Sequence, residues 1–151
     1  MASKALSKDD LAFGRVVLLA TDVLGLSAEG AFWIRFSRRA EWKFFLVTSL
    51  MHTLGPREIY IRLNESLKKQ LSDRETKDFN IYIADPGEAV VKKVREYIST
   101  ERFASDPLKA SFKFDDRQAD IFVYRMSSDL SPIETRAAKR RFVKISEAVA
   151  A

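Results

Sequence analysis

The stretch AFWIRFSRRAEWKFFLVTS, residues 31–49, constrains the fold more than any other part of the chain. Ala31 to Ser37 and Trp42 to Ser49 are rich in aromatic and β-branched residues, and the polar SRRA between them suits a tight connection. The pattern predicts a β-hairpin. A loop of either two or four residues centred on Arg38-Arg39 sets one register: Phe36 against Glu41, Arg35 against Trp42, Ile34 against Lys43 and Trp33 against Phe44. Side chains on a strand alternate between faces. Trp33, Arg35, Trp42 and Phe44 then share one face, with Arg35 over Trp42 as a cation–π pair. Such a cluster either stacks a ring-shaped ligand or pins the hairpin beneath a helix. Aromatics at sheet spacing are usually core, which favours the second role.

Around the hairpin the hydrophobic period switches between two and 3.6. Lys8 to Leu24 carries Leu11, Val16, Leu19 and Val23 on a helix-width stripe, with Gly25 as the stop. Pro56 opens a second helix with Thr53 or Gly55 near its cap, and Ile59, Leu63, Leu67 and Leu71 recur every four residues. Phe79, Ile81 and Ile83 alternate as a strand. Asp85, Pro86 and Glu88 then read as cap, first position and capping partner of a third helix carrying Val90, Val91, Val94, Tyr97 and Ile98. Residues 109–127 read as a second hairpin, half-exposed at Phe112 and Phe114 and apolar on both faces from Ile121 to Met126, as a central strand is. Ser131-Pro132-Ile133-Glu134 is a capping box for a last helix, with a stripe of Ala138, Phe142, Ile145 and Val149.

The order α-β-β-α-β-α-β-β-α predicts an α+β domain, or a mixed α/β one, built on one five-stranded sheet with packed helices. A length of 151 residues suits a single domain, able to bury roughly 68–70% of the unfolded surface. Residues 1–128 form that domain, and 129–151 form a basic amphipathic helix that docks on it or on a partner. The chain has no cysteine, so disulfides, thiolate metal sites and Cys nucleophiles are excluded. Asp9 and Asp10 stand where a secretory signal wants a basic region, and no uncharged run approaches the ~20 residues of a spanning helix. A cytoplasmic protein without a transmembrane segment is the expectation.

Glu41 and Lys43, two residues apart at a strand start, have the look of a Glu-x-Lys nuclease half-site. Such a site needs a further carboxylate converging on its metal. The hairpin register puts Phe32, Ile34 and Phe36 beside the pair instead, and Glu29 has the opposite parity and points away. The pair reads as the exposed start of a strand. The junction from strand to helix at 48–57 offers Thr48, Ser49, His52, Thr53 and Arg57 near a helix N-terminus, where anions are welcome. Its single Gly is no phosphate cradle. His52 is the only histidine and has no partner for a metal pair, leaving general base as its one catalytic role. Asp115, Asp116 and Asp120 crowd the last hairpin and read as a solvated turn. No metal site or cofactor is indicated.

The net charge is +5, and Lys139, Arg140, Arg141 and Lys144 gather on the last helix. A basic amphipathic helix can pack back on its own sheet, pair with a second copy or lie on phosphates. A protein partner or homodimer is the leading expectation, with nucleic acid a possible ligand of that helix.

The segments AFWIRF, EWKFFLVTSLMHTLGPREIY and ADIFVYR, covering roughly residues 10 to 126, resemble a recurrent group of uncharacterised bacterial α+β proteins. The matching positions are Trp33, Trp42, Phe44, Thr48, Gly55, Arg57, Tyr60, Tyr124 and Arg125. The group's pattern has an acidic residue around His52, where this chain departs from it. The resemblance implies the same element order and no catalytic residue. The sequence as a whole reads as a non-enzymatic cytosolic binding or interaction module. The alternative is a metal-dependent nuclease or other phosphate-handling enzyme using Glu41 and Lys43.

Overall fold

A computed structural model describes residues 6–37, 40–70, 81–100 and 107–150. Helix α1 (Lys8–Val23) opens on Ser7, whose hydroxyl accepts the Asp10 amide at 3.0 Å while the Asp10 carboxylate accepts the Ser7 amide at 3.1 Å. This reciprocal box satisfies amides that a helix start leaves open. Past Leu24 the chain turns left-handed at Gly25 (φ 82°), and the Leu26 amide donates back to the Thr21 carbonyl. A side chain would be strained at that φ, so the stop falls on glycine.

Strands β1 (Gly30–Arg35), β2 (Lys43–Val47), β3 (Ile81–Ala84), β4 (Leu108–Phe114) and β5 (Arg117–Met126) form one mixed sheet in the order β3-β2-β1-β5-β4. β2 pairs antiparallel with β1, Trp33 opposite Phe44 and Ile34 opposite Lys43, as the hairpin pattern predicts. β3 runs parallel to β2, and β5 is antiparallel to both β1 and β4. Helices α2 (Pro56–Gln70), α3 (Ala89–Tyr97) and α4 (Pro132–Ala150) complete an α+β domain in the predicted order. One addition is a 3₁₀ turn, Ser49–His52, between β2 and α2. The tip Arg38-Arg39, Leu71 and Phe79 lie outside the described residues. No helix among those described is long and apolar enough to cross a membrane.

Two apolar layers flank the sheet. Ala31, Trp33, Phe44, Leu46, Ile83 and Tyr124 face α1, α2 and α4. Phe32, Ile34, Phe45, Val47, Ile121 and Val123 face α3 through Val91 and Val94. The C-terminal helix shares the first layer: Ala138 and Phe142 are fully buried. Arg62 of α2 also clamps it, donating to the Val143 carbonyl at 3.3 Å and to Ser146 Oγ at 3.1 Å.

Helix α1 buries Gly14, Val17, Leu18 and Thr21, while Val16, Leu19 and Val23 of the predicted stripe are exposed, so the stripe marks the wrong face. Two further local features depart from the sequence expectation. Helix α3 starts at Ala89, three residues after Pro86. Residues 85–88 close a turn instead, with the Glu88 amide on the Asp85 carbonyl at 3.0 Å and the Gly87 amide on Asp85 Oδ1 at 2.9 Å. Gly87 favours the turn over a helical first residue, so the Asp85–Glu88 capping contact forms one step before the helix. The second is a bulge where β1 meets β5. Ala31 faces Arg125 and Phe32 faces Val123, which leaves Tyr124 as the extra residue. A bulge resets side-chain parity. Consecutive Tyr124 and Arg125 therefore both reach α1: the Tyr124 hydroxyl donates to the Leu11 carbonyl at 2.5 Å, and Arg125 holds the Asp22 carboxylate at 2.7 and 2.9 Å.

Candidate functional site

Glu41 and Lys43 are both exposed at the start of β2, and Lys43 lies opposite buried Ile34. Glu29, the nearest upstream acid, belongs to the other side of the sheet and is engaged there. No three His, Asp or Glu side chains gather as metal ligands among the described residues. Hard divalent cations need several oxygens, which this geometry does not bring to Glu41.

The junction residues split into two sets. Thr48 is fully buried and caps the 3₁₀ turn, accepting the Leu50 amide at 3.1 Å. Ser49 turns toward Glu29, donating its amide to Oε1 at 2.8 Å and its hydroxyl to Oε2. His52, Thr53 and Arg57 are exposed. His52 Nε2 lies 3.0 Å from Asp85 Oδ1, and the Thr53 hydroxyl donates to the Leu50 carbonyl at 3.4 Å. The five do not converge on one point. Glu29 gathers more contacts than any of them: its carboxylate also takes the Leu130 amide at 3.4 Å, ahead of α4, and the residue is 1% exposed. Burial raises its pKa, the bonds from Ser49 and Leu130 pull the other way, and Asp129 adds to the rise. It ties β1, the 3₁₀ turn and the approach to α4 together.

On α4, Arg140, Arg141 and Lys144 are exposed and Lys139 is half-buried. Arg141 donates to Ser27 Oγ at 3.3 Å, which fixes it against the turn after α1. The other three, with Arg136, line a shallow outward concavity.

The site with the most chemistry lies where the sheet runs on beyond α1. A concavity of about 520 Å³ opens there, lined by Leu6, Arg35, Trp42, Lys109, Ser111, Gln118, Asp120 and Phe122. It is built by alternation. Arg35 on β1 stands opposite Asp120 on β5, Asp120 stands opposite Ser111 on β4, and Lys109 stands opposite Phe122. The Arg35 guanidinium sits 4.6 Å from the Trp42 ring centre, the predicted cation–π pair, and donates to Asp120 Oδ2 at 2.9 Å. Ser111 Oγ donates to the other Asp120 oxygen at 2.7 Å. Trp42 and Phe122 meet at 5.5 Å, and Lys109 Nζ stands 5.6 Å over Phe122. Burial alone would raise the Asp120 pKa, but the Ser111 and Arg35 hydrogen bonds and the charges of Arg35 and Lys109 outweigh it and lower the pKa. Asp120 is ionised at neutral pH and sits between two cations, hydrogen-bonded to Arg35 and within the field of Lys109, so the three charges leave the concavity with one net positive charge.

Arg35 Nε and Trp42 Nε1 are two of the five buried side-chain polar atoms with no hydrogen-bond partner among the described residues. Each such atom costs about 1–3 kcal/mol. A cluster that leaves two of them in one place is not optimised for stability alone.

Asp120, which the sequence pattern places in a solvated turn, is the hub of this cluster. The turn itself is Asp115-Asp116, both left-handed at φ 50° and 63°. Lys109, Ser111, Gln118 and Phe122 escaped sequence reasoning because Arg35 and Asp120 are 85 residues apart in the chain. Only the pairing of β1 with β5 brings them together.

Trp33, Tyr124 and Tyr60 hold the fold together. The Trp33 indole donates to the Tyr124 hydroxyl at 3.2 Å, and the Tyr60 hydroxyl bridges edge strand β3 through the Ile81 carbonyl and the Ile83 amide. No protein-family model, curated protein or solved structure matches the chain.

Proposed function

We propose that the protein is a non-enzymatic cytosolic binding module whose ligand site is the concavity over β1, β2, β4 and β5. The observation that carries this reading is the lining: two aromatic rings, two cations and one carboxylate brought to one face from three strands and the residue that leads into β2. Small-molecule sites are concave, measure roughly 300–1,000 Å³ and combine apolar walls with a few placed polar groups. The concavity has that size and that make-up. The cation–π cluster is then both the pin of the hairpin and the floor of the site. The test is a fragment screen against isotope-labelled full-length protein, read by NMR. Aromatic fragments are expected to move the amides of Lys109, Ser111 and Asp120 and the Trp42 indole. Hits that gather elsewhere, or none at all, contradict the reading.

A second reading concerns α4. Arg136, Lys139, Arg140 and Lys144 form a basic outer stripe, and none of them makes an ion pair among the described residues. The inner face of α4 is committed to the core, so a polyanion or protein partner would meet this outer stripe. Four phosphate contacts would give a slope of about −3 to −4 in log K against log salt. A flat salt response would set this reading aside.

A further inference from the structure

The proposed site carries a chemical preference that follows from its charges, and this inference rests on that binding reading. Arg35 and Asp120 neutralise each other across 2.9 Å, and Ser111 occupies the remaining Asp120 oxygen. Lys109 is exposed, makes no ion pair among the described residues and stands over the Phe122 ring. Arg35, Lys109 and Asp120 thus give the concavity one net positive charge beside the Trp42 and Phe122 rings, which meet at 55° and form an apolar corner rather than a slot. We propose that it takes a small aromatic carboxylate, the ring packing in the Trp42–Phe122 corner and the anionic group meeting Lys109. A monoanion matches the one net positive charge of the concavity; a dianion would exceed it. A cationic ring would meet Lys109 head-on, because Asp120 is already engaged by Arg35 and Ser111.

The test is a titration of full-length ¹⁵N-labelled protein with 2-naphthoate, the neutral 2-naphthamide and 2-naphthylmethylammonium. It is read at the Trp42 indole, with the Trp33 indole as internal reference because that group is tied to Tyr124. The naphthoate is expected to bind most tightly and to move Trp42 while Trp33 stays. Lys109→Gln, an exposed substitution that leaves the fold intact, is expected to weaken naphthoate by about three- to five-fold, the scale of one exposed ion pair. The same variant is expected to leave the amide unchanged. Amide binding equal to naphthoate, tighter binding of the ammonium, or naphthoate affinity indifferent to Lys109→Gln would each overturn the carboxylate preference while the site stands. If none of the three probes moves Trp42, the binding reading falls, and the preference with it.

Discussion

Replacing Gly14 with Ala would place a methyl carbon 2.6 Å from the Tyr124 hydroxyl oxygen, 2.8 Å from Trp33 Nε1 and 2.9 Å from Tyr124 Cζ. All three distances are shorter than real side chains tolerate, so α1 must lift or the rings must move. On helix propensity alone the change would stabilise by about 1 kcal/mol. Against this stands overpacking, at about 1–3 kcal/mol. The Trp33–Tyr124 and Tyr124–Leu11 hydrogen bonds are also strained, at about 0.5–1.5 kcal/mol each. The clash outweighs propensity, and the expected net loss is about 2–3 kcal/mol. Urea unfolding followed by tryptophan fluorescence measures it. The cause is tested by Tyr124→Phe, which removes the atom that the methyl would meet first. The double variant is expected to be more stable than the sum of the two single losses by about 1 kcal/mol. Unchanged or increased stability in Gly14→Ala would refute the close approach of α1 to the sheet.

Tyr124 and Glu29 give two pH signatures. Burial pushes the Tyr124 phenol up to about 12, from an ordinary 10. The unfolded chain therefore releases this proton first, and stability is expected to fall as pH rises from about 10 toward 12; Tyr124→Phe should lack that component in alkaline unfolding curves. Glu29 is likewise raised above 4.5 by burial, so its contribution is fully present below 4.5 and falls as pH rises through the folded value. Glu29→Gln should lose that fall and should be most destabilised relative to wild type at the acid end. A larger loss near neutrality than at pH 4.5, measured by urea unfolding, would mean that the charged form is the favoured one.

The local part of the fold was legible because it depends on period and punctuation. The β1–β2 register follows from the position of SRRA, and Arg35 over Trp42 follows from the register. Ser131 and Glu134 cap α4 as their spacing predicts, with the Glu134 amide on Ser131 Oγ at 3.2 Å. What escaped is long-range. Strict alternation would send Tyr124 and Arg125 to opposite faces; the bulge against Ala31 and Phe32 sends both toward α1, and nothing in ADIFVYR alone announces it. Asp120 looks like one acid of a polar turn until β5 is laid beside β1. Glu29 points away from Lys43, as its parity predicts, and bonds Ser49 and Leu130. Its burial depends on the 3₁₀ turn and on the approach to α4 closing over it, neither of which parity can show. The helix start at Ala89 is not legible in the sequence, because Asp-Pro-Gly-Glu satisfies a turn and a capped helix equally well.

The most direct test of the central claim is the map of amide shifts on adding 2-naphthoate to the full-length protein. The account predicts shifts confined to the face of β4 and β5 at Lys109, Ser111, Gln118 and Asp120, to Arg35 and to the Trp42 indole. Shifts centred on residues 48–57 or along α4 would contradict it and move the binding site to the junction or to the basic helix.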